Sequence, residues 1–286
     1  MPLLNKNNLY LQPYFKQQMI KRVIVITGAS SGIGKALAKR FAESETALVV
    51  GARGMDKLNE LVLELSGDFK DILPLETDVS KEEDCKNLIQ KAIEKYGRID
   101  VLINNAGISM RAIFEDLDLS VIRRLMDVNF WGTVYCSKYA LPYLLASKGS
   151  LVGVSSIAGY KGLPGRTGYS ASKFAIHGFL ETVRIENLKK GLHVLIACPG
   201  FTASNIRTTA LGSDGSQQGE SPRDEAEMMS AEEVANRIYK AIQKRKNSLV
   251  LTSQGKMTVL INKFFPKLLD KMVYNHMAKE PNSPFK

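Results

Sequence analysis

Tyr169 and Lys173 are the residues of this chain whose types and spacing most directly suggest chemistry. They lie four positions apart in the stretch 168–173, which places them on one face of a helix, one turn from each other. A nearby ammonium group favours a phenolate, so we expect Lys173 to lower the pKa of Tyr169 from its usual value of about 10. A phenol tuned in this way can give or take a proton, as interconversion of a carbonyl and an alcohol requires. An isolated pair of this kind is more often a surface tyrosine and lysine, so the surrounding sequence must decide.

A glycine-rich turn near the N-terminus joins a predicted strand to a predicted helix. The β-branched run 23–26 predicts a buried parallel strand, and the residues after the turn predict a helix. Between them, Gly28, Gly32 and Gly34 let the backbone approach a pyrophosphate, while the helix N-terminus supplies amide groups and a dipole. The spacing departs from the GxGxxG fingerprint, and glycine turns of this kind also serve packing. The turn is therefore a candidate nucleotide site that needs support from the rest of the chain.

The residues that follow the second and third predicted strands bear on which dinucleotide would bind. NAD-binding proteins usually carry an acid at this distance after the glycine turn, where it binds the ribose 2′-hydroxyl. Here the strand 47–51 is followed by Ala52 and Arg53 instead. A guanidinium group can bind a 2′-phosphate with two hydrogen bonds and stack on adenine, which favours NADP; a solvated arginine is the alternative. Asp78 and Val79 follow the third strand, in position to reach the adenine.

Strand and helix patterns alternate over six repeats of the chain. This alternation predicts an α/β fold: a single doubly wound, Rossmann-like domain with a mostly parallel central sheet of about seven strands and helices on both faces. Ligands of such sheets bind beyond the carboxyl ends of the strands. The motifs that follow strand ends, and that we therefore expect along one edge, are the glycine turn, Arg53, Asp78, Asn105, Ser156 and Pro199.

Composition and charge narrow the classes of protein. The content of 44% hydrophobic and 24% charged residues is ordinary for a soluble globular protein. A net charge of +10 could indicate a nucleic-acid or membrane partner. However, residues 1–22 carry four basic side chains and no acidic one, and residues 255–286 carry six basic against two acidic. The body keeps only two of the ten net charges, so no nucleic-acid partner is expected.

Cysteine usage and hydropathy predict a cytoplasmic protein. The three cysteines are scattered and odd in number, which indicates free thiols in a reducing compartment. The three histidines are far apart in sequence, so we expect no metal site. No apolar run approaches the roughly 18 residues of a spanning helix, and polar residues near the start argue against a cleaved signal.

The chain is expected to comprise an N-terminal extension (1–20), a catalytic domain (21–254) and a basic amphipathic helical tail (255–286). Inside the domain, the polar and weakly periodic stretch 205–229 is typical of a substrate-binding loop. Pro266 is expected to divide the tail into two helices. We expect the apolar stripe of the tail to pack on its own domain or on a partner subunit; contact with a membrane surface is the alternative.

These motifs together resemble the short-chain dehydrogenase/reductase family. The resemblance covers about residues 21–251, and its specificity comes from the joint occurrence of the motifs in one order. The motifs are residues 27–34, residues 104–107, Asn129, Ser156, Tyr169 with Lys173, and Pro199 with Gly200.

The resemblance implies a role for each of four candidate catalytic residues. Tyr169 would be the general acid/base, and Lys173 would lower its pKa and bind the nicotinamide ribose. Ser156, thirteen residues before Tyr169, would orient and polarise the substrate oxygen. Asn129 would hold a water in a proton relay to Lys173, although an asparagine in such apolar surroundings can also be a satisfied core residue.

The resemblance also implies a set of cofactor contacts. They are Gly28, Ser30, Ser31, Gly32, Ile33 and Gly34 at the phosphates, Arg53, Asp78 and Val79 at the adenosine, Asn105, Ala106, Gly107, Tyr169 and Lys173 at the ribose, and Pro199, Gly200, Thr202 and Ser204 at the nicotinamide. Ser204 stands where family members commonly have threonine. Ser31 stands where NADP-preferring members often have a basic residue, so the expectation of NADP rests on Ala52 and Arg53.

The expected function is that of an oxidoreductase transferring a hydride between NADP(H) and a carbonyl or secondary alcohol. The alternatives are a catalytically silent NADP-binding sensor or scaffold, and an NAD-preferring dehydrogenase. The substrate is expected to be a small, partly hydrophobic molecule that meets Ser156 and Tyr169. The resemblance further implies a homodimer or homotetramer.

Overall fold

The computed structural model describes residues 22–43, 45–66, 71–221 and 228–285. The expected N-terminal extension, residues 1–20, lies outside the described residues, as do residues 222–227 of the expected substrate loop.

Seven strands form one sheet in the order β3-β2-β1-β4-β5-β6-β7. The strands are β1 Arg22–Thr27, β2 Thr46–Ala52, β3 Asp71–Glu76, β4 Val101–Asn104, β5 Ser150–Val154, β6 His193–Cys198 and β7 Ser248–Val250. Each neighbouring pair in this sheet is parallel. The predicted doubly wound α/β fold is confirmed.

Helices connect the strands and continue into the tail. They are α1 Gly32–Phe41, α2 Met55–Leu65, α3 Glu82–Tyr96, α4 Leu119–Leu125, α5 Gly132–Ala146, α6 Thr167–Glu186, α7 Ala231–Gln243, α8 Ser253–Phe264 and α9 Pro266–Ala278. A π-helical turn, Met126–Trp131, joins α4 to α5. As predicted, the tail consists of two helices, and Pro266 is the first residue of the second.

The sheet has a hydrophobic core on each of its two faces. In β1, Ile24 and Ile26 pack into the core beneath α1, α2 and α7. Val23 and Val25 point to the opposite core, beneath α3, α5 and α6. Alternate side chains of a strand point to opposite faces, so a strand covered on both sides is apolar throughout. This explains the continuous β-branched run of β1.

The strand order reverses at β1, and this reversal opens a crevice at the carboxyl edge of the sheet. Hydrogen bonds tie the ends of β1 and β4 together there. The Thr27 hydroxyl accepts from the backbone amides of Asn105 and Ala106, each at 3.1 Å. The Asn105 side-chain amide donates to the Thr27 carbonyl oxygen at 3.0 Å. The glycine turn after β1 is thereby held against the segment that follows β4.

The described part of the substrate loop is pinned beside this crevice. Leu211 is buried, donates its backbone amide to the Ser109 carbonyl at 2.9 Å, and accepts from the Arg111 amide at 2.8 Å. It joins Met110 and Leu125 in a third, smaller apolar cluster, against which Tyr169 packs. The loop is therefore attached to the segment that follows β4.

The C-terminal tail packs on its own domain through one face. Leu269 and Met277 of α9 are buried, and Asn262 of α8 donates to the Tyr160 carbonyl at 2.9 Å. Beyond α9, the Arg111 guanidinium donates to the Pro281 carbonyl at 2.6 Å. Among the described residues, no helix combines the length and the apolar character that crossing a membrane requires.

Candidate active site

A cavity of about 1320 Å³ opens at the carboxyl edge of the sheet. The sequence-predicted site residues that line it are Gly28, Ser30, Ser31, Gly32, Ile33, Arg53, Asp78, Val79, Asn105, Ala106, Gly107, Ser156, Tyr169, Lys173, Pro199, Gly200, Thr202 and Ser204. The two remaining predicted residues, Gly34 and Asn129, lie behind the cavity wall. One chamber thus brings together motifs that are spread over 177 positions of the chain, from Gly28 to Ser204.

The glycine turn has a conformation that side chains would disrupt. Gly28 and Gly32 have φ values of +66° and +50°, in the left-handed region that favours glycine. A Cβ atom on Gly28 would lie 2.8 Å from the Ala106 Cα atom, and one on Gly34 would lie 2.1 Å from the Gly28 carbonyl oxygen. Gly34 therefore serves the packing of the turn, which explains its place behind the wall.

The turn fits a phosphate group at the start of α1. Ser31, the N-cap residue, makes no side-chain capping hydrogen bond, and the first turn of α1 carries no acidic residue. The first amide groups of a helix have no partner within the helix, and the positive end of its dipole favours an anion. Because Gly32 and Ile33 line the cavity at this point, the turn can receive a pyrophosphate.

The predicted adenosine end of the cavity is lined by the charged side chains of Asp78 and Arg53, among others. The Asp78 carboxylate accepts from the Ser80 hydroxyl at 2.7 Å and from the Ser80 amide at 3.1 Å. Partial burial tends to raise the pKa of Asp78, but the Ser80 hydrogen bonds and the charges of Arg53 and Lys81 lower it on balance. Asp78 is therefore ionised and held by its own loop, while Arg53 stands exposed on the cavity wall.

Lys173 lies one helical turn from Tyr169 on α6, as its spacing predicts. Its ammonium group is 5.6 Å from the centroid of the Tyr169 ring and donates to the Val154 carbonyl oxygen at 3.0 Å. A Cβ atom on Gly107 would lie 3.5 Å from this ammonium group, so the absence of a side chain there leaves room beside it. Burial lowers the pKa of Lys173 to about 8. This amine therefore changes its charge close to neutral pH.

Tyr169 differs from the expectation in the direction of its pKa shift. Burial raises the pKa of the phenol and outweighs the Ser156 side chain and the guanidinium groups of Arg166 and Arg207, which lower it. The ammonium of Lys173, which was expected to lower it, is turned toward the carboxyl end of β5. Tyr169 thus keeps its proton at neutral pH.

The neighbouring serines Ser155 and Ser156 have different environments. The Ser155 hydroxyl is buried, lies 2.8 Å from the His177 ring nitrogen Nε2, and donates weakly to the Lys173 carbonyl at 3.5 Å. The Ser156 hydroxyl accepts from the Ala158 amide at 3.2 Å and also hydrogen-bonds the Tyr169 phenol, whose pKa it lowers. This geometry favours Ser156 as the partner of a substrate oxygen, in agreement with the sequence spacing.

Asn129 lies in the π-helical turn and is fully buried, and both its side-chain oxygen and its side-chain nitrogen make hydrogen bonds. Its amide oxygen accepts from the Ile108 backbone amide at 2.8 Å, and its amide nitrogen donates to the Ile108 carbonyl at 3.0 Å and to the Ser172 hydroxyl at 2.9 Å. The Asn129 carbonyl oxygen accepts from Thr133 at 2.8 Å. These contacts are those of a structural asparagine that joins the end of β4 to α6, and the water-relay role stays a prediction.

The sequence analysis missed charged residues near the cavity, among them Arg166, Arg207 and Glu280. Arg166 precedes α6 and donates to the Met110 carbonyl at 3.2 Å. The Glu280 carboxylate lies 3.8 Å from the Arg166 guanidinium and 3.6 Å from that of Arg111, and all three side chains are almost fully buried. The available signal was that Glu280 is one of only two acids in a basic tail.

The tail itself forms part of the cavity wall. Its lining residues include Met257, Ile261, Met272, Val273, His276 and Met277. These residues are mostly apolar and belong to α8 and α9. The chamber therefore has a polar half at the sheet edge and an apolar half under the tail.

Comparisons with known proteins agree with this architecture. A family model described as short chain dehydrogenase matches residues 22–213. The chain is 34% identical to "Dehydrogenase/reductase SDR family protein 7-like" of Dictyostelium discoideum over 260 residues, which cover 88% of the chain and 81% of that protein. It is 33% identical to "Dehydrogenase/reductase SDR family member 7B" of Mus musculus, with 94% and 85% covered.

A plant relative is similar over a shorter region. "11-beta-hydroxysteroid dehydrogenase A" of Sesamum indicum is 40% identical over 195 residues, which cover 67% of the chain and 56% of that protein. The matched region thus spans little more than half the length of this relative.

Among solved structures, an alcohol dehydrogenase from Thermococcus sibiricus complexed with 5-hydroxy-NADP has a TM-score of 0.71 and 27% identity, with 80% of this chain and 95% of that chain covered. A short chain dehydrogenase/reductase from Burkholderia phymatum, in complex with NAD, shares the fold with a TM-score of 0.78 at 22% identity; 88% of this chain and 96% of that chain are covered. Fold, cavity and family match together lead to one conclusion: the chain belongs to the short-chain dehydrogenase/reductase family of oxidoreductases.

Proposed function

We propose that this protein transfers a hydride between NADP(H) and a carbonyl or secondary-alcohol substrate, with Tyr169 as the proton donor or acceptor. The observation that carries the proposal is the convergence of Tyr169, Ser156 and Lys173 on the same cavity as the glycine turn. A catalytically silent nucleotide binder has no need of a phenol, a hydroxyl and a buried amine at one end of its nucleotide cavity.

The cofactor residues divide the cavity into successive parts. The bound nicotinamide would supply or accept the hydride. The amides at the start of α1 bind the pyrophosphate, and Arg53 binds a ribose 2′-phosphate. The strand ends at Asn105 and Pro199 flank the ribose and the nicotinamide. The 5-hydroxy-NADP bound to the Thermococcus sibiricus relative supports NADP, with NAD as the alternative.

The proton path is assigned to three side chains of α6 and the β5 end. Tyr169 keeps its proton at neutral pH and donates it to the substrate oxygen in the direction of carbonyl reduction. Ser156 donates its hydroxyl hydrogen to the same oxygen and orients it. Lys173, with a pKa lowered to about 8, holds a proton beside Tyr169 at neutral pH.

The apolar half of the cavity favours a bulky, hydrophobic substrate. The wall under the tail is rich in methionine, whose flexible side chain adapts to irregular apolar ligands. The name of the plant relative, a hydroxysteroid dehydrogenase, supports the same class of ring-containing ketone or secondary alcohol. Small ketones are the alternative substrates; they would occupy only the polar half of the cavity, beside Tyr169 and Ser156.

We also propose that the domain 21–254 and the tail 255–286 act as one catalytic unit in a cytoplasmic homo-oligomer. The contribution of the tail to the cavity wall supports the first part. The three buried free cysteines fit a reducing compartment. Exposed apolar side chains on α6, among them Phe174 and Ile185, support self-association.

The test is a panel of ketones assayed by the loss of NADPH absorbance, with Tyr169→Phe as the decisive variant. We expect Tyr169→Phe to lower the rate by about 10²–10⁴-fold while NADPH still binds, because only the proton donor is removed. Tyr139→Phe, which removes a hydroxyl bonded to Glu82 on the surface, is the matched control and keeps full activity.

Three results would contradict the proposal. Unchanged turnover in Tyr169→Phe would remove the phenol from the mechanism. A preference for NADH over NADPH would overturn the assignment of Arg53. An absence of turnover with every ketone and alcohol, together with tight NADPH binding, would favour the silent sensor or scaffold.

A further inference from the structure

The outward face of the two tail helices carries a row of exposed apolar side chains, which we name the tail stripe. Its members are Met257, Leu260, Phe264, Phe265, Leu268 and Met272. Their side chains are between 48% and 63% exposed. Contiguous apolar surface of this kind on a folded chain commonly marks an interaction site.

The spacing of the stripe shows that it is one face of two amphipathic helices. Met257, Leu260 and Phe264 recur at three and four residues along α8, and Leu268 and Met272 are four apart on α9. Leu269 and Met277, the buried residues that attach α9 to the domain, are not members of the stripe. The domain therefore leaves about half of the surface of each stripe side chain exposed, where a further partner can contact it.

Lysines accompany the stripe at regular intervals. Lys256, Lys263, Lys267 and Lys271 are exposed, and each directly precedes a member of the stripe. The one acid within α8 and α9, Asp270, is paired with Lys161 of the domain. The face consequently has a strong positive charge around an apolar centre, which is the pattern of a helix lying in a membrane interface.

The positive charge of this face distinguishes between two possible partners, a second copy of the chain and a lipid bilayer. A second copy of the chain docking through a two-fold axis would bring two identical sets of four lysines against each other, and like charges repel. A bilayer with anionic lipids attracts the same lysines and receives the apolar side chains between its headgroups. The observations therefore favour lipid.

The stripe also adjoins the cavity. Met257 and Met272 are members of the stripe and line the cavity as well, so apolar surface continues from the outside of the tail to the chamber. A hydrophobic substrate dissolved in a bilayer would meet this rim first. This access route rests on the proposed function, whereas binding of the stripe to lipid does not.

We propose that the tail stripe and its four lysines bind the surface of an anionic lipid bilayer and turn the adjoining rim of the cavity toward it. The full chain associates reversibly with the bilayer and needs no spanning segment for this contact. Binding combines burial of the apolar side chains with attraction between the lysines and the headgroups, so both components are separately testable.

The test is flotation of the purified full chain with vesicles of phosphatidylcholine alone or of phosphatidylcholine mixed with phosphatidylserine. We expect co-flotation with the mixed vesicles and little with phosphatidylcholine. Lys263→Gln with Lys267→Gln should lower the partition coefficient about 25-fold, since each lysine near an anionic surface contributes roughly fivefold. Leu260→Ser with Phe264→Ser should abolish flotation.

Matched controls remove the same groups elsewhere. Lys86→Gln with Lys91→Gln takes two charges from α3, and Leu63→Ser takes an apolar side chain, 73% exposed, from α2. Both should float like the unaltered chain, and circular dichroism of each variant checks that its fold is intact.

Equal flotation of the stripe and control variants would overturn the proposal. So would a stripe variant that changes the oligomeric state while the unaltered chain binds no vesicles, because the stripe would then be an interface between copies.

Discussion

Burial shifts the pKa values of Tyr169 and Lys173, which lie one turn apart on α6, in opposite directions. Taking a phenol out of water disfavours its anion, so the pKa of Tyr169 rises. Taking an amine out of water disfavours its cation, so the pKa of Lys173 falls to about 8. The two shifts bring a neutral acid and an easily deprotonated ammonium to one helix face, which suits proton transfer in either direction of the reaction.

The lowered pKa of Lys173 predicts a pH-dependent cost to stability. Its pKa is 10.5 ordinarily and about 8 in the fold, so below pH 8 the fold must hold a charge that burial disfavours. Stability rises as the pH increases from about 8 toward 10.5, because the unfolded chain then binds more protons than the folded chain.

Lys173→Met should therefore be more stable than the unaltered protein below pH 8, by up to about 3 kcal/mol. The difference should shrink as the pH rises toward 10, where the folded lysine is neutral. Urea unfolding at a series of pH values measures it. Lys138→Met, at an exposed lysine of α5, is the matched control. A constant difference across the series would show that the pKa of Lys173 is not lowered.

Among the structural elements, the glycine turn is packed so closely, backbone against backbone, that Gly34 has no room for a side chain. Gly34→Ala would place a Cβ atom 2.1 Å from the Gly28 carbonyl oxygen, so the turn must shift. We expect a loss of roughly 2–5 kcal/mol in the free energy of unfolding and a weaker affinity for NADPH. Gly54→Ala is the matched control, because a Cβ atom there has nothing within 4 Å. Equal urea midpoints and NADPH affinities for the two variants would contradict this account.

The tail is fixed over the cavity by the buried cluster of Glu280, Arg111 and Arg166. Glu280→Gln removes the buried negative charge that lies beside both guanidinium groups, at a cost of roughly 3–5 kcal/mol. We expect faster proteolysis of α9 and a raised KM for hydrophobic ketones. Asp270→Asn breaks the exposed pair with Lys161 and should change stability by less than about 1 kcal/mol. If both variants behave alike, the buried cluster does not hold the tail.

For the whole molecule, local sequence patterns predicted the fold and the place of the site, but they did not predict contacts between residues far apart in the chain. The alternation of strand and helix implied the parallel sheet, and the carboxyl-edge rule placed the glycine turn and Tyr169 at one cavity. The pairing of Glu280 with Arg166 joins residues 114 positions apart and has no local signal. The direction of the Tyr169 pKa shift also escaped prediction, because it depends on the burial of the phenol in the folded chain.

The exposed face of α6 yields a prediction about assembly. Phe174 and Ile185 are 45% and 66% exposed, and their separation of eleven residues places them on one side of the helix. This face lacks the row of lysines that surrounds the tail stripe, so two copies can meet there without comparable repulsion. Phe174→Glu with Ile185→Glu should convert the proposed homo-oligomer into a monomer, because each subunit would bury two carboxylates against their symmetry mates. Sedimentation equilibrium measures the mass, and Leu63→Glu on α2 is the control that keeps the oligomer. An oligomer that persists in the double variant would place the subunit contact on a different face.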